Sequence, residues 1–215
     1  MLLHILFMHT FVLTNKTMKK ITLIAGILAI VASTAFAGKP QTSFKVNKTE
    51  STLAWLGKKV TGQHSGAINL SDGELLVNDK TVVGGKFDID MNSITCEDLK
   101  DATWNGKLIG HLKADDFFGT EKFPKASFEI TEVKATDAND HFDVKGKLTI
   151  KGVTNEVTFP ATIKNAGNAV IAVAKITVDR TKYGIKYGSK SFFESIGDKA
   201  IDNEFTMDVK IVANK

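Results

Sequence analysis

Chemistry in this 215-residue chain would have to come from very few side chains. His111 and Asp115 stand four apart, a spacing that on a helix puts both on one face, where they could form an acid–base pair or two ligands of a metal. No third ligand is apparent: after residue 37 the other histidines are His64 and His141, and no HxH or HxxxH pair occurs. A structural role for His111, anchoring its helix, competes with contact to a bound head group. Cys96 is the sole cysteine, so no internal disulfide forms and the side chain reads as a small hydrophobe. Arg180 is the sole arginine in a chain rich in lysine, which suits a position needing a planar fork, the plainer alternative being a surface ion pair with Asp179. Neither a G-x-S-x-G elbow nor a Ser–His–Asp pattern is present, and the glycine-rich run from Gly184 to Ser189 lacks the ending of a phosphate-binding loop. The expectation is a protein with no catalytic residue, no metal and no cofactor.

Net charge is +4, with 28 basic against 24 acidic residues, but Lys16, Lys19 and Lys20 all precede residue 38 and no acid does. The remainder is close to neutral and has one arginine, which excludes a phosphate-neutralising surface and with it nucleic acid. Met18-Lys19-Lys20, the apolar run Ile21 to Val31 and Ala35-Phe36-Ala37 have the layout of a signal peptide, residues 1–37, cut after Ala37. The run is shorter than the ~20 apolar residues of a membrane span. Met18 is the expected start of translation, since the stretch before it adds a second apolar segment to a complete signal. No cysteine follows the cut, so the product is expected to be a soluble periplasmic protein and not a lipoprotein. Residues 38–215 are enough for one domain with a sizeable core.

What must position these side chains is a set of strands. Val83, Gly85, Phe87, Ile89 and Met91 alternate with polar residues, as do Phe142, Val144, Gly146, Leu148 and Ile150, and again Phe205, Met207, Val209 and Ile211. Weaker alternation covers 52–61, 67–70, 74–77, 126–133, 156–164 and 169–178, for about nine strands. Turn residues separate them at Ser71-Asp72-Gly73, Asn78-Asp79, Asp137 to Asp140, Lys151-Gly152 and Asn165 to Asn168, and such short connections imply antiparallel neighbours. Residues 95–118 break the pattern and predict one or two short helices. The class is all-β, a sandwich or a closed barrel. The inward face comprises Phe87, Ile89 and Met91, then Phe128 and Ile130, then Phe142, Val144 and Leu148. Val157, Phe159, Phe205, Met207 and Val209 complete it. These residues either pack as a core or line a ligand cavity, and the pattern leaves both open.

Three segments carry a resemblance. They are Gly106-Lys107-Leu108-Ile109-Gly110-His111-Leu112-Lys113-Ala114-Asp115-Asp116-Phe117-Phe118 with Phe123-Pro124 and Phe128 after it, Gly146-Lys147-Leu148-Thr149-Ile150-Lys151-Gly152-Val153-Thr154, and Asp179-Arg180-Thr181-Lys182-Tyr183-Gly184. In this order, over roughly Ser43 to Val212, the chain resembles the YceI-like family of exported polyisoprenoid-binding proteins. The resemblance implies a lipocalin-like antiparallel barrel of about eight strands, holding a long-chain lipid such as a polyisoprenoid or an isoprenoid quinone. An amphiphile would bury its chain and keep its head near water, which nominates His111, Asp115, Arg180 and Tyr183 as rim contacts and Phe117 and Phe118 as the collar. A packed barrel serving stress or adhesion, and an enzyme acting on an isoprenoid, are the competing readings. The expected partners are the lipid and, transiently, a membrane, with the protein a monomer or a homodimer.

Overall fold

Alternation of apolar and polar residues does build strands here, and they close on one another. The computed structural model describes residues 40–136 and 139–215, so the predicted signal peptide lies outside the described residues. In chain order the strands are β1 (Thr42–Val46), β2 (Thr52–Lys59), β3 (Gly62–Asn78), β4 (Thr81–Asp90), β5 (Lys125–Ala135), β6 (His141–Ile150), β7 (Val153–Asn165), β8 (Ala169–Asp179) and β9 (Ile201–Asn214). One helix, α1 (Ala102–Lys113), lies between β4 and β5. The sheet runs β3-β2-β9-β8-β7-β6-β5-β4 and returns to β3 through the β3–β4 pairing, with every pair antiparallel. This is a closed barrel of eight positions, in which every strand of the ring pairs with a neighbour on both sides along at least part of its length.

Nine segments fill eight positions because β1 and β2 share one. Each lies between β3 and β9: Lys45 pairs with Glu74 and Asn214, and Leu53 pairs with Ile68 and Val209. Between them the chain steps out at Asn47, whose side-chain oxygen accepts from the Thr49 and Glu50 N–H groups, a local turn that interrupts one strand without ending it.

Two strand readings need correction. Ser71-Asp72-Gly73 is no turn, since 67–70 and 74–77 belong to the single strand β3, with a bulge between Leu70 and Asp72. The glycine is there because the chains crowd: a Cβ at Gly73 would come within 2.8 Å of Val46 and 3.0 Å of Phe87. Second, Val83 is 39% exposed while Val82 is buried, the reverse of the expected parity. Val77 pairs with Val82 and Leu76 with Gly84, so Val83 is the extra residue of a bulge that shifts the start of β4 by one. Strand β1 was too short to register as alternation.

The turns behave as their chemistry requires. Lys151 and Gly152 both adopt positive φ (51° and 74°), the two-residue hairpin conformation that matches strand twist. At the same end of the barrel lie the β2–β3 turn, α1 and the long 184–200 connection into β9. Asp101 caps α1 by accepting from the Trp104 N–H at 2.9 Å, and Leu112 is its buried residue.

Replacing Gly73 with Val should cost about 1–3 kcal/mol through overpacking. Gly106→Ala, at an open helix site with nothing within 4 Å of the new Cβ, should instead stabilise by about 0.5–1 kcal/mol. Urea denaturation of both variants checks the pair.

Candidate functional site: the barrel interior

Inward side chains do not fill the barrel. A cavity of about 230 Å³ remains at its centre, bounded by residues from β2 to β9 and by α1. Of the thirteen inward residues expected from alternation, twelve line it: Phe87, Ile89, Met91, Phe128, Ile130, Val144, Leu148, Val157, Phe159, Phe205, Met207 and Val209. Phe142 does not. It shares the inward parity of Val144 but sits at the far end of β6, opposite Ala135 and Ala161, where it packs on the core beyond the cavity's reach. Met91 lines the cavity from a single helical turn after β4 and not from the strand itself.

Alternation missed a second group of lining residues. Ala172, Ala174, Ile176 and Val178 of β8 face the cavity, as do Leu53 and Trp55 of β2. On β8 both parities are apolar, with Ile171 and Val173 exposed outside (38% and 49%), so hydrophobicity could not choose the inner face. The alanines matter because they reach less far inward than the Leu and Phe opposite, and so leave room.

Among the described residues, charge touches this cavity at one end only. Lys58, Arg180, Asp202 and Glu204 are its ionisable lining residues, and they gather where the β2–β9 register slips between the pairs Gly57–Phe205 and Lys59–Ile201. Phe117 and Phe118 stand beside them, edge to face at 5.3 Å, with Phe118 also 6.4 Å from Phe205. Both phenylalanines line the cavity.

Arg180 departs from the surface ion pair that was its plainer reading. It is 2% exposed and bonds to no carboxylate among the described residues. Its fork donates instead to three backbone carbonyls: Nε to Asp202 at 3.0 Å, one terminal nitrogen to Ile185 at 2.8 Å, the other to Ile201 at 3.1 Å. Asp179 is occupied elsewhere, accepting from the N–H and hydroxyl of Thr181. Burial lowers the guanidinium's pKa, opposed by the fields of Asp179 and Asp202. The Phe117 ring lies 5.7 Å away, in reach of a cation–π contact.

The other rim candidates fall outside the cavity. Helix α1 ends at Lys113, so His111 and Asp115 do not share a helical face. His111 Nε2 lies 3.4 Å from Asp116, and its ring packs against Phe117 at 5.6 Å and Tyr187 at 4.4 Å, an anchor between α1 and the 184–200 connection. Asp115 pairs with Lys122, while its carbonyl accepts from Lys151 Nζ at 2.6 Å. Tyr183 is 1% exposed, and its hydroxyl is buried with no partner among the described residues, so it stands in the core and not at a rim.

A family model for the YceI-like domain matches residues 44–213. The chain belongs to the YceI-like family. A UPF0312 protein of Yersinia pestis (strain Pestoides F) is 30% identical over 160 residues, covering 72% of this chain and 75% of its own. A second, from Staphylococcus aureus, is 36% identical over 92 residues, 40% of this chain and 50% of its own. Among solved structures, Burkholderia cenocepacia BcnA superposes with a TM-score of 0.63 at 22% identity, over 79% of this chain and 99% of that one. A polyisoprenoid binding domain from Saccharophagus degradans, implicated in plant cell wall breakdown, gives 0.58 at 13% identity, over 80% and 97%. At these identities the two structures share the barrel fold with this YceI-like chain.

If Arg180 ties the 184–200 connection to β9, Arg180→Ala strips donors from three carbonyls at about 1–3 kcal/mol each where they stay dry. Its melting temperature should fall steeply. Arg180→Lys, with one compact ammonium, should recover only part of the loss. Thermal denaturation followed by circular dichroism reads both.

Proposed function

We propose that this protein is an exported carrier that sequesters a long-chain amphiphile, such as a polyisoprenoid or an isoprenoid quinone, inside the barrel. The observation that carries the reading is the cavity: apolar along its length, with its ionisable residues confined to one end. Hiding alkyl surface yields ~0.8 kcal/mol per buried CH2, which needs a dry wall and no reactive group. Among the described residues the lining has no histidine, serine or cysteine, which favours binding over catalysis. The open volume favours a carrier over a fully packed interaction barrel. The polyisoprenoid-binding domain that shares the fold supports the same ligand class.

The head group belongs at the charged end, near Lys58 and Arg180. The Arg180 guanidinium bonds to carbonyls and, among the described residues, to no carboxylate, so an anionic head could pair with it directly. The volume of about 230 Å³ is below the ~300–1,000 Å³ of typical small-molecule sites. A long chain therefore enters by displacing adaptable side chains, Met207 foremost.

Periplasmic residence follows in this reading from the leader, and no helix among the described residues is long and apolar enough to cross a membrane. Exchange of the lipid calls for brief contact with a membrane, and the 184–200 connection suits it. Tyr187, Phe192 and Phe193 are about half exposed there, and Lys186 Nζ lies 4.7 Å over the Phe192 ring.

Organic extraction of protein purified from its native periplasm, followed by mass spectrometry, should yield a near-stoichiometric long-chain lipid, and a lipid-free extract would sink the proposal. Met207→Trp, which fills space between Trp55 and Ile176, should lower occupancy or select shorter chains while the protein stays folded.

The double variant Phe192→Ser with Phe193→Ser should co-sediment less with phosphatidylglycerol vesicles than the parent, at an unchanged melting temperature. Equal sedimentation would remove the loop from the membrane-contact reading.

A further inference from the structure

The sequence marks Cys96 as a small hydrophobe and offers no metal set, yet the fold gives this thiol two polar neighbours from distant positions. Cys96 Sγ donates to Asp98 Oδ1 at 3.3 Å, and His64 Nδ1 lies 2.9 Å from Asp98 Oδ2. One ligand atom from each of His64, Cys96 and Asp98 can be chosen so that all three lie within 4.8 Å of one another. Sulfur, imidazole nitrogen and carboxylate oxygen are the donors that zinc takes at ~2.0–2.3 Å. The thiol and the imidazole thus both meet one carboxylate, so modest side-chain rotation would turn the three donors toward one ion.

The cluster is held from outside itself. Beyond Asp90 the chain continues along the edge of β3 that β4 leaves unpaired, with Thr95 N–H donating to Ala67 at 2.9 Å and Glu97 N–H to Ser65 at 2.8 Å. Trp55 Nε1 donates to the Thr95 carbonyl, also at 2.9 Å. Gly66 makes this approach possible, since a Cβ there would lie 1.9 Å from the Thr95 oxygen. On the other side Asn105 of α1 donates to the carbonyls of Cys96 and Leu99, both at 2.9 Å. Ser65 N–H fixes Asp98 Oδ1 at 2.7 Å. Such outer bonds are what orient metal ligands in built sites. His64 and Asp98 are partly exposed while Cys96 is buried, so an ion could enter from solvent and end against a sheltered sulfur.

We propose that His64, Cys96 and Asp98 form a binding site for a zinc-like divalent transition metal, with the fourth position open to water. Coordination breaks the S–H bond of Cys96 and releases its proton to solvent, while the proton of His64, if on Nδ1, moves to Nε2. The metal would pin the segment leading into α1 to the wall of the barrel, apart from the lipid cavity. The site does not depend on the lipid-carrier reading.

Titrating the purified protein with Co2+ should give one equivalent of tight binding, with a thiolate-to-cobalt charge-transfer band that Zn2+ abolishes by competition. Cys96→Ser, close to isosteric, should lose the band and bind about 100-fold or more weakly. His64→Gln should weaken binding in the same way, and it decides the matter if Cys96→Ser fails to fold. Zn2+ should raise the melting temperature of the parent and of neither variant. Absence of the band in the parent, or equal cobalt affinity in the parent and the folded variants, would overturn the proposal.

Discussion

Pairing along both edges of β3 is the constraint on which the rest of the barrel depends. This 17-residue strand meets β2 along its first half, β1 along its second, and β4 where the ring closes. Where β4 ends, at Asp90, the Thr95–Glu97 segment takes over the edge. Backbone N–H and C=O groups beside an apolar interior cannot be left bare, so a gap at any of these places would admit water to the cavity wall. Bulges at Ser71 on β3 and at Val83 on β4 shift the register along this closing pair.

Much of this was legible in the residues because a barrel with one wet and one dry face writes itself as period-two alternation. Where both faces are apolar, as on β8 with Ile171 and Val173 outside and Ala172 and Ala174 inside, that signal vanishes. It also fails at bulges, which reverse parity without any marker residue, and so Val82 and Val83 exchanged places. Glycine at position 73 looked like a turn because its other use, letting Val46 and Phe87 come close, depends on residues far away in the chain.

The charged end was harder to read, for a different reason. A lone arginine says that a fork is needed but not what it grips, and three backbone carbonyls have no sequence signature. Lys58, Asp202 and Glu204 reach the cavity through a register slip between β2 and β9 that no local pattern announces. His111 and Asp115 failed as a pair because α1 stops two residues short of the aspartate. His64, Cys96 and Asp98 come from a strand and from the segment past β4, thirty-odd residues apart, a separation that only the fold removes.

The shared position of β1 and β2 has a kinetic consequence. Both pair with β9, the last strand, and the step between them is closed by the Val212 carbonyl accepting from Asn47 N–H at 2.7 Å and by Ser51 Oγ, 161 residues away in sequence. Contacts of such separation form late and slowly, because the entropy of closing the loop is lost before they can repay it. Until β9 docks, β2 and β8 have no partner across which the ring can close. Ring closure is therefore a late step of folding, and the open sheet that precedes it exposes two strand edges.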